Sequence, residues 1–427
     1  MKTKLATWAT AALMAASPVM ADLVMPSLSF RTGPYAVGGI PLADGYADYF
    51  TLVNERDGGI GGVPVRILEC ETGYNTEKGV ECYESTKGEG SLLYQPFSTG
   101  ITYQLIPKVT ADGIALHTMG YGRTSAANGK VFSNVFNFPA NYWDAASVAI
   151  NYLLDENGGD IAGRKIALVY HNSAYGKEPI RTLEKLSEKH GFDLSLIPVD
   201  HPGQEQKSQW LQIRREKPDN VLMWGWGVMN QVAVQEAANI RYPMENFIGA
   251  WWSGAEADVI PAGAAANGYK ALTMNGVGKD YPIYEDIQKY VVDTGKAAGA
   301  GDQIGTVLYN RTIYAGFLAH MAILKAQEIH GVAEITPAMM VDGMENLEIT
   351  NALMEEYGVA GMGPEFAVSC ENHGGPGLGA VAQWDASAGV WNQISEFKVS
   401  DRSIIEPLIE EDSMAFAAEN NIEPRCN

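Results

Sequence analysis

Two short runs in the first third of the chain carry residue types that bind small polar groups. Leu92-Leu93-Tyr94-Gln95 empties into Pro96-Phe97-Ser98-Thr99-Gly100, and Gly113-Ile114-Ala115-Leu116-His117-Thr118 empties into Met119-Gly120-Tyr121-Gly122. Both read as strands that end in hydroxyl-bearing or glycine-rich loops at one edge of a parallel sheet. Free N–H groups and hydroxyls gathered there meet an anionic or polar ligand, so this edge is expected to form one jaw of a cleft. Ser98 as a helix N-cap, with the glycines as turns, accounts for the same residues without a ligand. Tyr35, in a loop that leaves the first strand at the same edge, is a candidate aromatic wall. Catalysis has little to draw on. Ser98 with His117 is the pair that resembles a nucleophile and base, but no acid is placed to orient His117. H-E-x-x-H, G-x-S-x-G and Walker patterns are absent from the sequence, and the reading is a binding protein without metal or other cofactor.

The elements that would position these groups alternate between apolar runs and amphipathic stretches. Strand Leu23–Phe30 leads to a helix over Pro41–Arg56, whose end at Asp57-Gly58-Gly59-Ile60-Gly61-Gly62 turns into strand Val63–Glu69. These glycines follow a helix instead of opening one, so they read as a C-cap and turn and not as a nucleotide loop. The proline-bearing segment Asn137–Trp143 marks a lobe boundary, and a second series follows: strand Lys165–Tyr170, helix Lys177–His190, strand Asp193–Pro198, helix Gln204–Arg215, strand Asn220–Trp224, helix Val228–Ile240, strand Asn246–Trp251. Such alternation predicts an α/β chain with two doubly wound parallel-sheet lobes. The second lobe again ends its strands in polar or glycine-flanked loops, which offer Tyr175, Trp226 and Trp252, with Ser253 beside it, to one space. Trp224 and Trp251 lie within strands and read as core. A long apolar helix over Tyr309–Ile329, with His320 on it as a structural histidine, precedes a hairpin of Gly379–Trp384 and Val390–Phe397 and an acidic tail.

The chain has 427 residues, 46% hydrophobic, with a net charge of −21. That size supports two or three packed domains, and that charge argues against nucleic acid and anionic membrane surfaces as partners. Lys2 and Lys4, the apolar run Leu5–Ala16 and Val19-Met20-Ala21 read as a signal peptide over residues 1–21, cleaved after Ala21. An exported chain with Cys70, Cys82, Cys370 and Cys426 is expected to form disulfides. Three pairings are possible; closeness in sequence favours Cys70–Cys82, which leaves Cys370–Cys426 for the tail. Without paired C-x-x-C spacing, a zinc site is disfavoured.

Ser29-Phe30-Arg31-Thr32-Gly33-Pro34-Tyr35, Val53-Asn54-Glu55-Arg56-Asp57-Gly58-Gly59-Ile60-Gly61-Gly62, Phe97-Ser98-Thr99-Gly100, Ala174-Tyr175-Gly176 and Ala382-Gln383-Trp384-Asp385, in this order and spacing, resemble the type I periplasmic solute-binding proteins of branched-chain amino-acid ABC importers. The resemblance spans nearly the whole mature chain. It implies two lobes joined by three crossings, near Asn137–Ala140, Thr273–Asn275 and within Pro364–Ala382, with lobe I over 22–138 plus 275–365 and lobe II over 139–274 plus 366–427. It further implies that Ser98, Thr99, Thr118, Gly120 and Tyr121 hold a ligand carboxylate and that Tyr175 and Trp226 close over it. The expected partners are a small amino acid or an aromatic or apolar organic acid and an inner-membrane ABC permease, with the protein a periplasmic monomer. A ligand sensor of the same fold, feeding a signalling partner, is the alternative. Members that bind α-amino acids place an acid where this chain has Trp251-Trp252-Ser253. A buried ammonium needs such a partner. Glu256 is the nearest substitute; otherwise the indoles suit an apolar acid or a cation held on aromatic faces.

Overall fold

A computed structural model describes residues 22–426; the expected leader and its cleavage after Ala21 lie outside them. The first sheet is built from β1 (Leu23–Ser29), β2 (Val65–Glu71), β3 (Leu93–Tyr94), β4 (Ala115–His117) and β5 (Val135–Phe136). β1 pairs with β2, and β3, β4 and β5 pair in turn, all in parallel. The Val24–Ser91 bridge and the Leu92 N–H donating to Val24 O at 3.0 Å join the two parts in the order 2-1-3-4-5. The second sheet contains β6 (Lys165–His171), β7 (Asp193–Val199), β8 (Asn220–Trp224), β9 (Phe247–Gly249) and β10 (Lys270–Thr273), in the order 7-6-8-9-10. It is completed by antiparallel strands from the chain's last third. β11 (Glu348–Ile349) and β12 (Phe366–Ala367) form a small pair of their own, whereas β13 (Leu378–Asp385) adds to β10 and β14 (Val390–Gln393) to β13. Strand order reverses direction beside β1 in one sheet and beside β6 in the other, which is where doubly wound sheets open a crevice.

The chain passes between the sheets three times, after β5, after β10 and before β13. The crossings are tied together: His373 O accepts the N–H of Asn137 and of Phe138, Pro139 O accepts that of Gly377, and Met362 O accepts that of Gly276. The fold is the expected pair of doubly wound lobes. The disulfides are Cys70–Cys82 and Cys370–Cys426, with Cα atoms 5.8 and 6.0 Å apart.

The first helix, Ala36–Leu52, starts earlier than its proline suggests and continues as one wider turn, Val53–Asp57, before the left-handed cap at Gly58. It lies along the helix Val307–His330, with Gly316 where a Cβ would come within 2.7 Å of the Tyr49 ring. His320 is buried there and shares a hydrogen bond with the Tyr49 hydroxyl at 3.1 Å. The acidic tail is a 19-residue helix, Arg402–Asn420, that buries Ile405, Leu408, Ile409 and Ala417. It binds to both halves of the molecule: Arg402 pairs with Asp144 at 3.0 Å, and Asp412 pairs with Arg123 at 2.6 Å. Phe416 stacks on Phe132 beside the latter pair.

Candidate ligand-binding site

Loops from both sheets meet around a small cavity of about 10 Å³ lined by Tyr74, Phe97, Thr99, Tyr121, Tyr142, Tyr175, Trp226 and Trp252. Seven of these eight residues are aromatic, and no carboxylate is among them. The first sheet's loops supply Tyr74, Phe97, Thr99 and Tyr121. Phe97 adopts φ 45° and Tyr74 φ 61°, a region L-residues rarely occupy and one that here turns two rings toward the cleft. The Phe97 conformation is held by its N–H, which donates to the Tyr121 hydroxyl at 3.0 Å, while that hydroxyl donates to His117 O at 3.0 Å. From the second sheet, Tyr175 is fixed by its hydroxyl on Gly225 O at 2.9 Å. Trp226 and Trp252 meet edge to face with centroids 5.7 Å apart, and Tyr121 meets Trp252 likewise at 5.8 Å; such T-shaped contacts satisfy the ring quadrupoles.

The two walls are bonded to each other. Trp251 and Trp252 both donate their indole N–H to Gly120 O, at 2.7 and 2.6 Å, and the Thr99 and Tyr142 hydroxyls share a hydrogen bond at 2.9 Å. Tyr35 bridges the same cleft at its rim: its hydroxyl lies 3.0 Å from His171 Nε2 and is also bonded to His201 Nδ1. This is a closed arrangement, with water largely kept from the cavity. Burial holds the Tyr74, Tyr121, Tyr142 and Tyr175 phenols well above their ordinary range, so all four are neutral donors or acceptors.

One charge lies among these rings. Arg311, fully buried on the helix Val307–His330, places its guanidinium 4.6 Å from the centroid of a Trp252 ring. Burial lowers its pKa to about 9, opposed by the nearby Tyr175, Glu256, Asp258 and Tyr142. Its Nε, Nη1 and Nη2 have no hydrogen-bond partner, and neither does the buried Nε1 of Trp226.

A family model described as periplasmic binding protein matches residues 25–389. The chain belongs to the periplasmic binding protein family. This is a family of non-enzymatic substrate-binding proteins of ABC transporters. A crystal structure from the Pseudomonas fluorescens group, described as an ABC transporter permease, is 39% identical, covering 95% of this chain and 100% of that one with a TM-score of 0.88. A Thermus thermophilus branched-chain amino-acid ABC transporter protein with bound valine is similar at 18% identity, over 91% and 98% of the two chains, with a TM-score of 0.75. A solute-binding protein from R. palustris in complex with benzoate is similar at 17% identity, over 89% and 98%, with a TM-score of 0.68. No curated protein matches the sequence at a significant level.

In this periplasmic binding protein, Thr99, Tyr121, Tyr175, Trp226 and Trp252 come together on the cavity wall. Ser98 lies one residue back, its Oγ accepting the Ile101 N–H at 3.4 Å as the cap of the helix Thr99–Asp112. Thr118 donates to Phe136 O at 3.2 Å, and Gly120 contributes its carbonyl to the interlobe bonds. Ser253 exchanges hydrogen bonds with the Gly225 backbone at 2.8 and 3.1 Å and braces the Trp226 loop. Tyr35 is not brought to the cavity wall; it sits at the rim with the histidines. His117 is engaged by Gln95 at 3.3 Å and Phe138 O at 3.0 Å, away from any role as a base for Ser98. Glu256 accepts the Val307 N–H at 3.0 Å, at the start of the buried helix, instead of facing the cavity. Among the described residues no group of His, Cys, Asp or Glu is suited to a metal, and no helix is long and apolar enough to cross a membrane.

The sequence reading missed Tyr74, Phe97, Tyr142 and Arg311 as site residues. Tyr74 leaves the end of β2, and its position past a strand end was available as a signal. Arg311 carried a stronger one: a charge in the first, largely apolar part of a long helix that reads as core is expensive and calls for a partner.

Proposed function

We propose that this protein is the exported substrate-binding subunit of an ABC importer, working as a monomer in a bacterial periplasm, and that it captures a small aromatic or otherwise apolar carboxylate between closing lobes. The observation that carries this reading is the cavity walled by aromatic rings from both lobes and sealed by Trp251 and Trp252 on Gly120. The closed molecule leaves free space of only about 10 Å³ inside these walls, room for about one water, so the lobes must part to admit a solute. An α-amino acid is less well served, because no acid lines the cavity and Glu256 is committed to a helix end. Ser98, Thr99, Thr118, Gly120 and Tyr121 remain the first lobe's contribution, some as wall and some as its support. Binding works as a population shift: the ligand meets one lobe in an open form, and contacts from the other favour closure.

Thermal shift across benzoate, phenylacetate, valine and glycine betaine tests the reading. A ligand at 100 times its dissociation constant adds about 2.7 kcal/mol of stability, a shift of a few degrees for lobes of this size. Stabilisation by a carboxylate, together with a more compact scattering profile, is the expected result. Turnover of a bound compound, or binding without compaction, would count against it.

A further inference from the structure

Arg311 is a buried charge for which the fold provides no partner. Every position of its helix from Val307 to Ile323 is buried. All three guanidinium nitrogens lack hydrogen-bond partners. The acids within electrostatic reach are bonded elsewhere, Glu256 to the Val307 N–H at 3.0 Å and Asp258 to the Ala255 N–H at 2.9 Å. Asp258 is moreover pushed up to about 7 by burial, so near neutral pH it supplies only part of a countercharge. An arginine in this setting strongly destabilises the chain unless something outside it brings acceptors. The guanidinium lies on Trp252 and within reach of Tyr142 and Tyr175, three of the cavity's own walls.

We infer that, within the binding-protein reading above, the solute's carboxylate pairs with Arg311 while its apolar body lies among the rings of the cavity. The guanidinium fork matches the two oxygens of a carboxylate, and Trp226 Nε1, also buried and unbonded, offers a further donor. Three of the first lobe's backbone donors beside the cavity are already spent: the N–H of Gly120 on Ala140 O at 3.0 Å, that of Gly122 on Thr99 Oγ1 at 3.3 Å and that of Phe97 on Tyr121. Charge also sorts the alternatives. Aromatic walls alone suit a quaternary ammonium, but Arg311 already occupies the Trp252 face as a cation and repels a second one. An α-ammonium would likewise enter beside a positive charge with no acid in the lining.

The test uses matched probes that share one body and differ in charge: benzoate, benzamide and benzyltrimethylammonium, then 3-methylbutanoate with its amide and its trimethylammonium analogue. Wild type, Arg311→Lys and Arg311→Met are compared by calorimetric titration and thermal unfolding. A carboxylate is expected to bind wild type at least about tenfold more tightly than its neutral and cationic partners, and Arg311→Met is expected to weaken it by about 10- to 100-fold. Arg311→Lys keeps the charge without the fork and falls between the two. An amide or ammonium probe that binds as well as the carboxylate and closes the lobes overturns the inference while leaving the binding-protein reading intact. An independent arm needs no ligand: Arg311→Met should unfold at a higher temperature than wild type when both are free of solute, because it removes an unmet charge. A lower unfolding temperature would assign Arg311 to the fold and overturn the inference whatever the probes do.

Discussion

Trp252 reaches across the cleft to Gly120, its indole N–H donating to the Gly120 carbonyl at 2.6 Å, and Trp251 donates to the same oxygen at 2.7 Å. One carbonyl of the first lobe therefore holds two side chains of the second, one of which is also a cavity wall. Sealing the cavity and closing the lobes are the same event.

Replacing Trp252 with Phe keeps a ring on the wall and removes one of these two bonds. A net hydrogen bond is worth about 1 kcal/mol, so ligand affinity should fall by roughly fivefold. Titration calorimetry with the tightest-binding probe measures this, and scattering should find the ligand-bound ensemble less compact than wild type.

Gly38 lies on the helix Ala36–Leu52 where a Cβ would come within 2.6 Å of the Trp226 ring in the closed molecule. Gly38→Val should therefore block closure while leaving each lobe able to fold. Overpacking of this kind costs about 1–3 kcal/mol, a loss of roughly 5- to 150-fold in affinity, with the ligand-free unfolding free energy within about 0.5 kcal/mol of wild type.

Closure should depend on pH through two opposed groups. His171 faces Tyr35 at the N-cap of the first helix, His201 from the loop after β7, and Ser173 and Tyr175 just past its own strand. Burial first, then the charge of His201, lowers its pKa to about 4 in the closed form. Closure therefore excludes a proton, and it weakens as pH falls below the ordinary value near 6.5 toward that depressed value. Glu178 works the other way. Bonded across the cleft to the Tyr103 hydroxyl and buried, it is pushed up to about 7, so closure retains its proton and weakens as pH rises from the usual carboxylate range toward that value. The two slopes oppose each other between about pH 4.5 and 6.5, and wild-type affinity should be nearly level there. His171→Gln should bind progressively better toward pH 5, and Glu178→Gln progressively worse, each by about tenfold across that window. Titrations at several pH values check both slopes.

Reduction should destabilise the protein unevenly. The Cys70–Cys82 and Cys370–Cys426 loops span 12 and 56 residues, and the chain-entropy model assigns them about 3 and about 4 kcal/mol. Denaturant unfolding of Cys→Ala pair variants is expected to show the larger loss for Cys370–Cys426, which ties the chain after the C-terminal helix to the segment between β12 and β13.

Much of this was legible in the chain. Asn220–Trp224 reads as a strand because a parallel strand buried on both faces is one continuous apolar run, and it is β8 with those same ends. Trp226 and Trp252 were readable as wall residues because they stand past strand ends among glycines, where a core has no place for them. The helix Arg402–Asn420 was not legible as a helix. Its acids answer Arg123 and Arg181 on other elements, so its sequence shows charge where a lone amphipathic helix would show a stripe. Tyr74 and Phe97 owe their direction to positive φ, which carries no periodicity. Tyr35 followed the right loop to a different end, because His171 and His201 become its neighbours only when both lobes are present. Arg311 was passed over because the helix around it reads as core, although a charge within the helix's fully buried stretch, Val307–Ile323, is the feature that most needs explaining.

Small-angle scattering of the wild-type protein, first stripped of solute by unfolding and refolding and then saturated with its tightest-binding carboxylate, tests the central claim most directly. Closing of two lobes around a shared cavity predicts a smaller radius of gyration on saturation and no such change in Gly38→Val. An unchanged radius in wild type at full occupancy would contradict it.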